Sequence, residues 1–115
     1  MKLSLVRIAH ARGGDKGDKA DLGLFAYDAA TYAVLKREVT AERVTAHFSG
    51  IVFGPVERFD MDNLLALKFV LHQALDGGAA RSLRSDSLGK SLAAGLLRME
   101  IDVPDDMPIR HAAMT

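Results

Sequence analysis

The 115-residue chain contains no cysteine. That excludes disulfide staples, thiolate metal centres and cysteine nucleophiles together, and it suits a reducing cytoplasm. Net charge is also absent, because 15 basic residues balance 15 acidic ones. No overall field draws such a chain onto nucleic acid or an anionic membrane, so neither is an expected partner. Long apolar runs are missing too. The richest, "LLALKFVLHQAL", is interrupted by Lys68 and His72 and falls short of a bilayer span. Arg7 and His10 break the first apolar run, so no secretory leader is expected and a cytoplasmic protein is. No internal repeat or low-complexity segment occurs.

What is present is ordinary globular composition, 49% hydrophobic and 26% charged. A chain of this length can bury a core as one domain. Residues 1–103 are expected to form that domain. Residues 104–115, with Pro104 and Pro108 and little apolar content, are expected to form a loose tail.

Periodicity assigns the elements. "KLSLVRIAH" alternates as a strand, and "DLGLFAY" resumes the alternation after a polar stretch. "DAATYAVLKREV" reads as a helix capped by Asp28, and "TAERVTAHF" as a shorter one capped by Thr40 and stopped at Ser49-Gly50. "IVFGPVERFDM" is extended, with Pro55 placing it at an edge or an interruption. "DNLLALKFVLHQALDGG" predicts the strongest helix, with Leu64, Leu67, Leu71 and Leu75 as its apolar stripe and Gly77-Gly78 as its exit. "SLGKSLAAGLL" predicts another helix and "RMEIDV" a closing strand. Mixed elements with a hairpin first and a strand last predict an α+β fold, a mainly antiparallel sheet with helices packed on one face.

The chemistry concentrates in "HARGGDKGDKADLG", residues 10–23, read as a long hairpin loop. A Walker loop needs Gly-Lys-Ser/Thr entering a helix, and here neither that triplet nor a helix follows. The dinucleotide pattern Gly-x-Gly-x-x-Gly is absent as well. Asp15, Asp18 and Asp21 recur every third residue, but Lys16 and Lys19 between them would repel a cation, and no closing glutamate follows. No metal is expected, and no cofactor. Two readings stay open. Gly14 and Gly17 could expose backbone N–H groups to an anion, with Arg12 as a bidentate clamp and Lys16 as a point charge. The same residues could serve only as a solvated turn, although about two to five residues suffice for most hairpins.

Asp15, Asp18 and His47 are the candidate catalytic acids or bases. His47 sits at a predicted helix end, where an imidazolium also favours the helix dipole. His72 reads as an exposed helical residue, and His10 could face either way. Arg81 and Arg84 in "GGAARSLRSD" form a second cationic cluster that could meet the anion bound by Arg12. No Gly-x-Ser-x-Gly elbow or His-Glu-x-x-His pair occurs.

With "ARGGDKGDKADLG", "VTAERVTAHFSG", "VERFDMDNLLALKFVLHQALDGG" and "RSLRSDSLGKSLAAGLLRMEI" in view, the chain resembles the small ferredoxin-fold domain of the acyclic terpene utilisation protein AtuA family, over about residues 3–103. The most specific element is the Gly-Gly-Asp-Lys-Gly-Asp run at Gly13 to Asp18. Gly13 stands where family members often carry serine, and Asp21 where many carry asparagine. The resemblance implies a ferredoxin-like sandwich and a link to catabolism of acyclic terpenes or related branched acids as acyl-CoA compounds. It implies an accessory small subunit with a larger AtuA-like chain as partner and an acyl-CoA or other anionic small molecule as ligand; a homo-oligomer is expected as well. A self-contained enzyme or binding protein for an anionic acyl ligand is the alternative.

Overall fold

Two antiparallel sheets share one core. The structure, a computed structural model, describes residues 1–16, 19–73 and 91–107, the side chains of Asp15 and Lys16 excepted. Strand β1 (Lys2–Ser4) pairs with β6 (Glu100–Asp102) and brings the two ends of the domain together. The main sheet holds β2 (Ala9–Lys16), β3 (Lys19–Ala26), β4 (Val56–Met61) and β5 (Ala66–Leu71), in the order β2-β3-β5-β4. Helices α1 (Ala29–Glu38) and α2 (Ala41–His47) follow β3, and residues 91–96 form α3. The α+β sandwich with a mainly antiparallel sheet is therefore observed.

One face of the main sheet carries the core. Along β3, Ala20, Leu22 and Leu24 are buried, while Asp21 and Gly23 between them are not. Along β5, Leu67, Phe69 and Leu71 are buried on the core face, with Lys68 and Val70 on the other face. Tyr32 and Leu35 of α1, Val44 of α2, and Leu92 and Leu96 of α3 join the same apolar cluster. Burial of side chains this large stabilises by about 1.5–3 kcal/mol each, which holds the helices on that face.

Local chemistry sets the helix bounds. Asp28 Oδ1 accepts the Thr31 N–H at 2.8 Å, and Thr40 Oγ1 accepts the Arg43 N–H at 3.1 Å, so both predicted N-caps are observed. Gly50, at φ 86°, takes the left-handed conformation that follows the end of α2. At the end of α1, Arg58 of β4 donates Nη1 to the carbonyls of Lys36 (2.9 Å) and Val39 (3.0 Å), and its Nε meets Asp60 Oδ1 at 2.8 Å. One strand side chain thus satisfies carbonyls that the helix leaves open. Arg43 ties α1 to β6 in the same way, donating to Glu38 O (3.0 Å) and Glu100 O (2.9 Å).

Three expectations change. The helix predicted from Asp62 is a 3-10 turn over Asp62–Leu64 followed by β5, a central strand paired with both β3 and β4. Leu67 and Leu71, four apart, fit a helical stripe, but four is also an even number and satisfies strand alternation. Phe69 between them is buried, as alternation demands, and Leu64 is 54% exposed. Leu75 and Gly77-Gly78 lie outside the described residues. Secondly, "KLSLVRIAH" is not one strand: a 3-10 turn at Leu5–Arg7 separates β1 from β2. Thirdly, the charged stretch is not a long loop. Residues 10–16 and 19–23 of it continue β2 and β3 in an unbroken ladder from Ala9↔Ala26 to Lys16↔Lys19.

Residues 87–90 of the helix predicted before β6 also lie outside the described residues. Beyond β6, the N-terminal ammonium donates to Asp105 Oδ1 at 2.8 Å, and Met107 packs against the core. The remainder of the expected tail, residues 108–115, is not described.

Candidate functional site

Recasting the charged stretch as strand gives its residues fixed directions. Side chains alternate across a sheet, so His10, Arg12 and Gly14 of β2 share the face opposite the core. The register places Arg12 beside Gly23, and Gly23 beside Lys68. One pair further along, Gly14 lies beside Asp21 and Asp21 beside Val70. In the other direction, His10 lies beside Phe25.

The result is an open depression of about 470 Å3, lined by Arg12, Gly14, Asp21, Gly23, Phe25 and Lys68. Its floor is low because glycines stand where side chains would otherwise rise. A Cβ at Gly14 would meet nothing within 4 Å, so the space above it is free. A Cβ at Gly23 would lie 2.9 Å from Phe25 Cε2, so the phenyl ring lies over the glycine. That ring also stacks on His10, with centroids 5.0 Å apart and planes 8° from parallel. Two cations flank the floor. Lys68 Nζ is held by Asp21 Oδ2 at 3.1 Å. Arg12 is exposed and has no ion pair among the described residues. A shallow site with an aromatic shelf, a glycine floor and an exposed guanidinium suits a ligand with an anionic group and an apolar body.

The other candidates separate from this face. His47 lies on the helical side, where its Nε2 is 2.8 Å from Gly95 O and its ring meets Phe48 edge-on at 5.0 Å. It is fastened to α3 and does not share a site with Arg12. Asp15 and Lys16 belong to β2, while Gly17, Asp18, Arg81 and Arg84 lie outside the described residues. Arg12 and Gly14 are therefore the predicted residues brought together, joined by Asp21. His72 is not helical; it follows β5, with Nε2 2.7 Å from Glu57 Oε1. Sequence reasoning missed Phe25 and Lys68. Their signal was alternation: Phe25 stands two residues after Gly23, and Lys68 interrupts an apolar run at a strand position.

One further polar cluster is structural. The Tyr32 hydroxyl donates to Asp62 Oδ1 at 2.6 Å, and Lys36 Nζ reaches the same oxygen at 3.1 Å. Burial first, then the bond to Asp62, pushes the Tyr32 phenol up to about 12. The Tyr32 bond, followed by the Lys36 bond, holds the Asp62 carboxyl below its ordinary value. The cluster ties α1 to the turn before β5. Among the described residues, no three His, Asp or Glu side chains are placed to hold a metal ion, and no helix is long and apolar enough to cross a membrane.

Comparison with known protein families matches the chain to the family described as AtuA ferredoxin-like domain, over residues 3–102. No curated protein and no solved structure matches the chain. The match takes in the whole main sheet and the Arg12 depression, and on its strength the chain belongs to the AtuA ferredoxin-like domain family.

Proposed function

We propose that this domain binds the anionic part of an acyl compound, of the acyl-CoA class, on the open face of its main sheet. It does so as a cytoplasmic accessory subunit of a larger AtuA-like chain, in the catabolism of acyclic terpenes or related branched acids. One observation carries the ligand reading: Arg12 stands exposed beside a floor made by Gly14 and Gly23, with Phe25 and Lys68 at the other sides. Arginine clamps phosphate or carboxylate with paired N–H donors, and the glycines leave room for the group it holds. Family membership supports the partner, and the lack of cysteine suits the compartment.

The alternative is a self-contained enzyme or binding protein for an anionic acyl ligand. His47 is turned away toward Gly95, so it does not supply the acid or base that an enzyme would need at the anion. Two measurements test the proposal. Co-expression with a larger AtuA-like chain followed by size-exclusion chromatography should give one complex, and independent elution would sink the subunit role. A thermal-shift series with acyl-CoA esters should raise the melting temperature of wild type and leave Arg12→Ala unmoved. At about a hundredfold excess over Kd, the ligand adds roughly 2.7 kcal/mol. Equal shifts in both proteins would sink the Arg12 site.

A further inference from the structure

The main sheet has two edges, and they are built differently. The β4 edge spans six residues, follows Pro55, and commits Arg58 to α1 and Asp60. Such features discourage pairing with another chain. The β2 edge is longer, eight residues, and runs against β3 without a bulge. It contains no proline, and Ala9, Ala11, Gly13 and Gly14 make much of it low and narrow. Among the described residues, no strand lies on its outer side.

We infer that β2 pairs with the β2 of a second copy of this chain, antiparallel, through a two-fold axis normal to the sheet. That axis keeps both open faces on one side, so even-numbered residues must oppose even-numbered ones. Charge then selects the register. Centring on Arg12 opposes two guanidinium groups, and centring on Gly14 leaves only residues 12–16 paired. Like charges directly opposed are destabilising. Centring on Ala11 leaves only residues 9–13 paired. Centring on Gly13 pairs residues 10–16 and sets Arg12 against the partner's Gly14, where no side chain competes for space. Gly14 lines the depression. Each guanidinium is thereby delivered to the floor of the other copy's site, and two shallow depressions become one composite site with paired arginines.

The pairing stands on strand geometry and not on the identity of the ligand. It is tested on the full chain, whose lack of cysteine allows clean disulfide mapping. Directly opposed residues lie about 4.5–5.5 Å apart at Cα, inside the range of about 4.4–6.8 Å that a disulfide spans. Diagonal positions lie about 7–8 Å apart, outside it. An equimolar mixture of Arg12→Cys and Gly14→Cys should therefore give a disulfide-linked dimer under mild oxidation, while each variant alone stays mostly unlinked. Light scattering on the wild type should give twice the chain mass of 12.4 kDa. A wild-type monomer would overturn the proposal whatever the variants do. So would a dimer in which the mixture links no better than either variant alone. Linking without any binding of acyl-CoA would uphold the pairing and sink only the ligand reading.

Discussion

Replacing Phe69 and Lys68 in turn tests the strand that the candidate site depends on. Phe69 is fully buried at the centre of β5, and its neighbour Lys68 faces the open side, with its side chain 42% exposed. Truncating a buried phenylalanine to alanine costs about 3–5 kcal/mol, from lost transfer energy and the cavity left behind. Domains of this size have about 5–15 kcal/mol in total, so Phe69→Ala removes a large share. The melting temperature should fall by roughly 10–20 °C. Lys68→Ala removes only a surface pair with Asp21, worth about 0–1 kcal/mol. Urea denaturation of both variants checks the contrast, with an unchanged slope showing that stability alone has moved. Equal losses for the two adjacent positions would refute strand alternation here, and with it the placement of Lys68 beside Gly23.

Further outcomes follow from the same geometry. Gly23→Val should cost little stability if the Phe25 ring swings aside, but it should fill the depression and weaken acyl-CoA binding; calorimetric titration at wild-type strength would count against the floor. Asp28→Ala should cost about 1 kcal/mol by removing the α1 cap, measured by thermal melting. Asp62 has a folded value below its ordinary 3.8, so its contribution is complete above that value and is lost as pH falls through the depressed one. Acid denaturation of Asp62→Asn should lack that part of the slope. Tyr32 is raised from 10.0 to about 12, so the folded state favours the protonated phenol, and that contribution is lost as pH rises between the two values. Tyr32→Phe should flatten the alkaline loss of stability over the same range.

The helices were legible where side chains act locally. Asp28 and Thr40 bond N–H groups three residues ahead, a contact that sequence spacing specifies by itself. The strand β5 was not legible, because its leucines four apart satisfy two periods at once. Hydrogen bonds to β3 on one side and β4 on the other decide between them, and both partners lie far away in sequence. The site suffered a related error. Charge and glycine resemble a loop when read along the chain, yet the ladder from Ala9 to Lys16 makes them a strand that sets Arg12 and Gly14 on one face of a sheet. Arg12 and Gly14 were found by residue type. Phe25 and Lys68 required the register.

The central claim is that an anionic acyl ligand rests on the open sheet face beside Arg12. Backbone amide shifts of the 15N-labelled protein, recorded during titration with an acyl-CoA ester, test it most directly. The account predicts that Arg12, Gly14, Gly23, Phe25 and Lys68 move together and saturate, and that Arg12→Ala abolishes the response. Shifts clustered instead around His47 and Gly95, or no saturable shift at all, would contradict it.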